Sequence, residues 1–149
     1  MLGAQKAYGL LTVKGVSDGD QRVITGVAST PKPDRVKDVM EPKGARFAKS
    51  IPFLWQHQHD KPIGEAQLNV SGDKILFSAS VARTDEAGEL KNLLDRAWQN
   101  IKTRLVKGVS IGFMPIEYDY LDGGGILYKE YEIFELSAVT IPANSSDLS

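Results

Sequence analysis

The sequence of 149 residues lacks cysteine altogether and contains only two histidines. Without cysteine, the chain has no disulfide bond, no thiolate metal site and no cysteine nucleophile, and the absence also fits a reducing compartment. The formal net charge is −1, so the chain carries no global basic field that would attract nucleic acid. We therefore predict that nucleic acid is not a partner.

Long apolar runs are also absent. The sequence has no stretch of about 18 apolar residues, which predicts that nothing spans a membrane. The N-terminal stretch MLGAQKAYG lacks the apolar core of a signal peptide. These features predict a cytoplasmic protein, or one assembled inside a structure made in the cytoplasm. The length predicts a single domain over residues 1–149, with a polar tail from about residue 143.

Most of the chain has the composition of short β-strands separated by turns. Residues 7–16 are rich in Tyr, Leu, Thr and Val, and apolar residues alternate with polar ones in residues 74–82. The pattern predicts strands at residues 7–16, 22–29, 51–57, 65–70, 74–82, 106–114, 116–120 and 126–141. Residues 30–49 contain prolines and a glycine, and they predict a long loop with a short helix near residues 46–50.

One segment, residues 85–102, has helical periodicity. Its apolar residues recur at spacings of three and four: Leu90, Leu93, Leu94, Ala97, Trp98 and Ile101. Thr84 is the expected N-cap. The order of strands, one long helix and more strands predicts an α+β fold that is mainly β. We expect a β-barrel or curled antiparallel sheet with the helix packed outside it or over one end, and not a doubly wound α/β sheet.

Both histidines, His57 and His59, lie in the short stretch LWQHQHD. On one strand they would share a face, because side chains in a strand alternate with a period of two. Such a pair could bind a metal, but carboxylates would have to complete the site, since no other histidine or cysteine exists. A catalytic base beside a bystander, and two surface histidines without a role, are the alternatives.

A second feature is KGVSIGF, which places Ser110 in a G-x-S-x-G pattern. That pattern is typical of the nucleophile elbow of α/β-hydrolases, which requires a strand, a tight turn and then a helix. Here the surrounding residues predict a strand, and no histidine follows the serine, so we reject the elbow. Gly108 and Gly112 lack side chains on the face of Ser110 and leave its hydroxyl open to an approaching backbone. With a histidine as base Ser110 could be a nucleophile, and a structural serine is the alternative.

A third feature is Glu135 in the stretch EIFELSAVTIPAN. Both faces of this predicted strand are largely apolar, so the carboxylate is expected to be buried, which is costly unless it is paired. One natural partner is a histidine ring N–H, which would also fix the tautomer of a catalytic base. A salt bridge to Lys or Arg is the alternative.

Five stretches together resemble the prohead protease family of tailed bacteriophages. They are ITGVAST, DRVKDVMEPKGARF, FLWQHQHDKPIGEA, VKGVSIGFMPIEY and FELSAVTIPAN, in the family's order. The resemblance implies similarity to the herpesvirus assemblin-type serine proteases, with an antiparallel β-barrel of assemblin-like type flanked by helices. It implies a serine endopeptidase that needs no cofactor.

Carried over by position, the resemblance places the family's histidine at His57 and its serine at Ser110. Assemblin-type enzymes have a histidine as third member, and here that place holds Glu135, with the carboxylates Asp38, Asp60 and Glu65 as fallbacks. His59 becomes the bystander, although on a shared face it could shape the substrate cleft or take the third place. Because no arginine follows Glu135, backbone N–H groups or Asn144 would form the oxyanion hole.

The resemblance also implies partners and a location. The substrates would be the major capsid protein and the scaffold protein, cleaved in the host cytoplasm inside the assembling prohead. Self-cleavage and a homo-oligomer are further expectations, with no nucleic acid and no membrane involved. Two rival functions are a non-enzymatic capsid-assembly or scaffold module with the same barrel, and a metal-dependent hydrolase that uses the pair His57 and His59.

Overall fold

The computed structural model describes residues 2–10, 17–18, 21–29 and 38–140. Ten β-strands and one α-helix lie in these ranges. The strands are β1 (Gln5–Leu10), β2 (Ser17–Asp18), β3 (Arg22–Ser29), β4 (Val39–Met40), β5 (Ala45–Phe47), β6 (Ile51–Trp55), β7 (Gln58–Ser71), β8 (Lys74–Val81), β9 (Gly108–Tyr120) and β10 (Ile126–Val139). The helix is α1 (Glu89–Lys102), and a short 3-10 helix spans Pro42–Gly44.

All ten strands belong to a single sheet. Its order is β1-β9-β10-β6-β7-β8-β3-β2, and β4 and β5 pair with β10 on the same side as β6. The sheet curls until β1 approaches β3. The prediction of a mainly β fold with one helix is confirmed, but the antiparallel expectation is only partly right. Strands β4, β5 and β6 run parallel to β10, so the sheet is mixed.

The core lies on the concave side of the curled sheet and beneath α1. Strand β8 shows why it forms: Ile75, Phe77, Ala79 and Val81 are buried, and the residues between them are less so, as the alternation predicted. On α1 the buried residues are Leu94, Ala97, Trp98 and Ile101, which form one stripe against β7 and β8. No helix in the described residues is long and apolar enough to cross a membrane.

Several predicted element boundaries were wrong. Helix α1 starts at Glu89 with Gly88 as N-cap, while Thr84 Oγ1 accepts a hydrogen bond from Glu86 N before the helix begins. Residues 45–47 form a strand beside β10 instead of the short helix predicted near residues 46–50. The predicted strands at 106–114 and 116–120 are the single strand β9. The predicted tail lies outside the described residues, as do residues 11–16 and 30–37.

Candidate active site

His57 lies in a tight turn that joins β6 to β7, and not on a strand. Gln56 and His57 are the two turn residues, with backbone φ angles of 54° and 58°. Positive φ at both central residues is typical of type I′ hairpin turns, which usually contain Asn, Asp or Gly. Other residues in such sparsely populated conformations cost about 1–3 kcal/mol each, and surrounding contacts must offset that cost. The strand predicted at residues 51–57 therefore ends two residues early, at Trp55, and His57 and His59 do not share a strand.

The end of β10 supplies the contacts that hold this turn. Gln56 N donates to Ala138 O at 2.9 Å, which continues the parallel pairing of β6 with β10. The Gln56 side chain donates to Thr140 Oγ1 and accepts from Thr140 N, both at 3.0 Å. His57 N donates to Ser137 Oγ at 3.2 Å. Sequence reasoning missed Gln56, Ser137 and Thr140, although Ser137 was expected on the same face as Glu135.

Ser110 lies near the start of β9, between β1 and β10. Its neighbours are Tyr8 on β1 and Ser137 on β10, and its exposed fraction is 0%. The hydroxyl Oγ lies 2.7 Å from His57 Nε2. The strand context that excluded a nucleophile elbow is thus observed, because Ser110 is flanked by strand on both sides.

Glu135 reaches His57 from the strand next to Ser110. A β-bulge lies between Ile133 and Glu135 on β10, and it brings Glu135 opposite Gly112 on β9. A Cβ atom on Gly112 would overlap the Glu135 side chain, with Cγ at 2.5 Å and Cδ at 2.8 Å. The second glycine of G-x-S-x-G therefore leaves room for the glutamate to fold back over β9. The open face predicted around Ser110 is therefore wrong, because the Glu135 side chain lies over Gly112 and Ser110 is buried.

Together these three side chains form a continuous hydrogen-bonded chain. Glu135 Oε1 makes a short hydrogen bond with His57 Nδ1, and His57 Nε2 meets Ser110 Oγ on the other side of the ring. A carboxylate can only accept, so Nδ1–H donates to Glu135 and Nε2 is left to accept from the Ser110 hydroxyl. Burial of the ring lowers the pKa of His57 below its ordinary 6.5, and the hydrogen bond to Glu135 opposes that shift.

His59 is the second residue of β7 and also faces Glu135. Its Nε2 lies 3.2 Å from Glu135 Oε2, while 74% of its side chain is exposed. The expected bystander is therefore in contact with the carboxylate that His57 uses. In the ranges described above, no group of three or more His, Cys, Asp or Glu side chains could hold a metal ion.

Glu135, and not one of the three fallback carboxylates, accepts the hydrogen bond from His57 Nδ1. Asp38 instead accepts a hydrogen bond from Ile126 N at 2.9 Å, at the opposite end of β10. Asp60 and Glu65 have exposed side chains on β7. Asn144, the candidate for the oxyanion hole, lies outside the described residues.

Comparison with known proteins gives two matches. A family model described as "Caudovirus prohead serine protease" matches residues 14–147. The chain is also 52% identical over 142 residues to the "Capsid polyprotein" of Pseudomonas phage PAJU2. That alignment covers 94% of this chain but 21% of the relative, so the chain spans about a fifth of the relative's length. No solved structure matches the chain.

Proposed function

We propose that this chain, which belongs to the caudovirus prohead serine protease family, cleaves peptide bonds with Ser110, His57 and Glu135. In this proposal Ser110 is the nucleophile, His57 the general base and acid, and Glu135 the residue that orients His57. The observation that carries it is the hydrogen-bonded chain from Glu135 through the His57 ring to Ser110 Oγ. A nucleophile, a base and a group that orients the base are the parts that serine-type acyl transfer needs.

The chemistry follows from the direction of the hydrogen bonds. His57 Nε2 takes the proton of Ser110 as Oγ attacks the peptide carbonyl carbon, and a tetrahedral oxyanion forms. His57 then gives this proton to the leaving amine, the C–N bond breaks, and an acyl-serine is left. Water attacks the acyl-serine while His57 accepts a proton from it, and the return of that proton to Oγ releases the acid. Throughout, the Glu135 carboxylate stabilises the charged imidazolium.

Burial of the site strengthens these interactions. Only 8% of the His57 side chain and 3% of the Glu135 side chain are exposed, and charge interactions are stronger where water is excluded. The lowered pKa of His57 keeps the ring neutral, and so able to act as a base, at neutral pH. Since Ser110 is itself fully buried, a peptide can reach it only after the groups that cover it move.

The proposed substrates are the major capsid protein and the scaffold protein. The family's description as a prohead protease and the relative's name, capsid polyprotein, support this choice. Cleavage would take place inside the assembling prohead in the host cytoplasm. Processing of a longer form of the chain and formation of a homo-oligomer belong to the same proposal, as does the single protease domain over residues 1–149.

We also propose that the curled sheet is a barrel of assemblin-like type. The approach of β1 to β3, and a serine on β9 that meets a histidine in the turn after β6, support the likeness. An experimental structure tests it, because superposition on an assemblin-type protease should overlay His57 and Ser110 on that enzyme's histidine and serine. A superposition that leaves either residue far from its counterpart would reject the likeness.

The experiment that tests the proposed function is co-expression with the capsid and scaffold proteins of the same phage. We expect Ser110→Ala to abolish cleavage, a loss of about 10³-fold or more. A serine-directed phosphonate should label the unaltered chain and should not label Ser110→Ala. Ser137→Ala is the matched control, because it removes an equally buried serine from the neighbouring strand. It should be labelled at Ser110, more slowly, since only the contact to His57 N is lost.

Undiminished cleavage by Ser110→Ala would reject the proposal in favour of a rival. The first rival, a non-enzymatic assembly module, predicts no labelling of any variant. The second, a metal-dependent hydrolase using His57 and His59, predicts inhibition by chelators and a stoichiometric metal in elemental analysis. Both ring nitrogens of His57 already have protein partners, which favours proton transfer over metal binding.

A further inference from the structure

Glu135 is shared by both histidines of the chain. Its Oε1 bonds to His57 Nδ1, and its Oε2 lies 3.2 Å from His59 Nε2. The two rings come from different elements, the Gln56–His57 turn and the start of β7, and they converge on one buried carboxylate. The site is therefore a chain of four side chains from Ser110 to His59, one longer than the proposed mechanism uses.

The second oxygen of Glu135 needs a partner. Oε2 is buried and has no aligned hydrogen bond from any residue in the described ranges, and an unpaired buried carboxylate oxygen is costly. His59 Nε2 is within hydrogen-bonding distance, although the angle is poor. An exposed ring can change rotamer rapidly, so a small rotation of His59 would align its N–H with Oε2.

Core packing does not account for the position of His59. With 74% of its side chain exposed, the ring buries little apolar surface. Its one contact with the site is polar and is directed at the oxygen that lacks a partner. A residue whose position is explained by a polar contact, and not by core packing, is a candidate for a functional role.

We propose that His59 is a positioning residue of the protease: its ring N–H holds Glu135 Oε2, so that Oε1 stays directed at His57 Nδ1. This inference rests on the proposed function, since it assigns a role in the same catalytic chain. His59 acts through Glu135 and does not touch the reacting atoms. Its removal should therefore lower kcat and leave KM unchanged.

The charge of His59 also affects the pKa of His57, because both rings lie beside Glu135. Among the described residues, the titratable groups whose charge acts on His57 include Glu135 from β10, His59 from β7 and Lys6 from β1, and the Ser110 hydroxyl on β9 meets its ring. Glu135 raises the pKa of His57, whereas positive charge on Lys6 or His59 lowers it. Replacing His59 with glutamine therefore removes a charge that opposes protonation of His57 but keeps a donor to Glu135 Oε2, and the pKa of His57 should rise.

The kinetic test compares His59→Ala with His59→Gln on a peptide substrate across pH 5 to 9. His59→Ala should lower kcat about tenfold, the effect of one hydrogen bond to a charged group. His59→Gln should restore kcat at pH 8 to within about threefold, because an amide N–H can still donate to Oε2. In His59→Gln the acid limb of kcat/KM should move to higher pH, since the charge is lost while the amide still holds Glu135 toward His57. Asp60→Asn, an exposed neighbour on β7, is the control and should change neither quantity.

An NMR titration of the His57 ring separates failure of this inference from failure of the proposed function, because it needs no turnover. The pH at the midpoint of the His57 titration should rise in His59→Gln, both in the otherwise unaltered chain and in a Ser110→Ala background. An unchanged midpoint would overturn the inference and leave the protease intact. The inference would also be overturned if His59→Ala lost activity, His59→Gln did not restore it, and the titration midpoint of His57 stayed the same. Undiminished cleavage by Ser110→Ala would instead reject the proposed function.

Discussion

The two ends of the β9–β10 hairpin differ sharply in burial, although the same two strands form both. At one end every residue from 108 to 113 on β9 and from 135 to 139 on β10 is buried. Toward the turn at residues 121–125, exposed residues interrupt both strands, and Met114, Ile116 and Tyr120 are exposed. Buried and exposed residues alternate along part of this outer half, as in a sheet with one face in water.

The difference shows where polar groups acquire partners within the protein. At the buried end, Ser110 and Glu135 are buried and meet the two ring nitrogens of His57. At the outer end, Asp119 and Lys129 form an ion pair at 2.7 Å with both side chains substantially exposed. Polar side chains thus lie along the whole hairpin. Only at its buried end does burial require them to find partners within the protein, and this requirement fixes their arrangement.

The largest difference in activity is expected between two glutamate substitutions, one at the buried end of the hairpin and one toward its turn. We expect Glu135→Gln to lower kcat about 10²- to 10⁴-fold, because the amide can donate to His57 Nδ1 and so favour the wrong tautomer. The outer, exposed Glu132 is the matched control on the same strand, and Glu132→Gln should retain full activity. Steady-state kinetics on a peptide substrate, with thermal unfolding to confirm folding, measures both. Equal rates for the two variants would shift the orienting role away from Glu135.

A smaller difference, in stability and activity, is expected between two glycine substitutions, one at the buried end of the hairpin and one at its turn. The methyl group of Gly112→Ala would overlap Glu135 Cγ, so the carboxylate must move away from His57. We expect a loss of about 1–3 kcal/mol in the free energy of unfolding, typical of overpacking, and a clear fall in kcat. Gly123→Ala, with open space at the hairpin turn, should change stability by less than about 0.5 kcal/mol. Denaturant unfolding compares them, and equal stability would mean that Glu135 adapts without strain.

The smallest effect is expected from the outer ion pair. Asp119→Asn removes the partner of Lys129, whose pKa is raised by its hydrogen bond to Asp119. Because water and salt screen exposed charges, activity should be unchanged and the unfolding temperature should move no more than in Gly123→Ala. Scanning calorimetry at low and high salt measures this. A large shift that disappears at high salt would show that the outer end also depends on a fixed charge pair.

The residue types at the site could be predicted from the sequence, but their geometry could not. The G-x-S-x-G pattern indicates Ser110, and a carboxylate in a predicted apolar strand indicates Glu135; both residues are buried. The strand predicted at residues 51–57 ends at Trp55, because Gln56 and His57 adopt positive φ without the Asn or Gly that usually marks such a turn. The resemblance places the family's histidine at His57 and leaves His59 as the bystander, and only the folded sheet brings His59 to Glu135.

The sequence by itself determined the available chemistry and the periodic elements. With no cysteine and two histidines, a histidine base has to be His57 or His59, and local alternation and helical spacing are properties of neighbouring residues. The tertiary structure decided which histidine meets Ser110, that β6 runs parallel to β10, and that both rings share Glu135. The physical reason is distance along the chain. His57 is separated from Ser110 by 53 positions and from Glu135 by 78, so only packing of the whole sheet and the strained turn brings their atoms together.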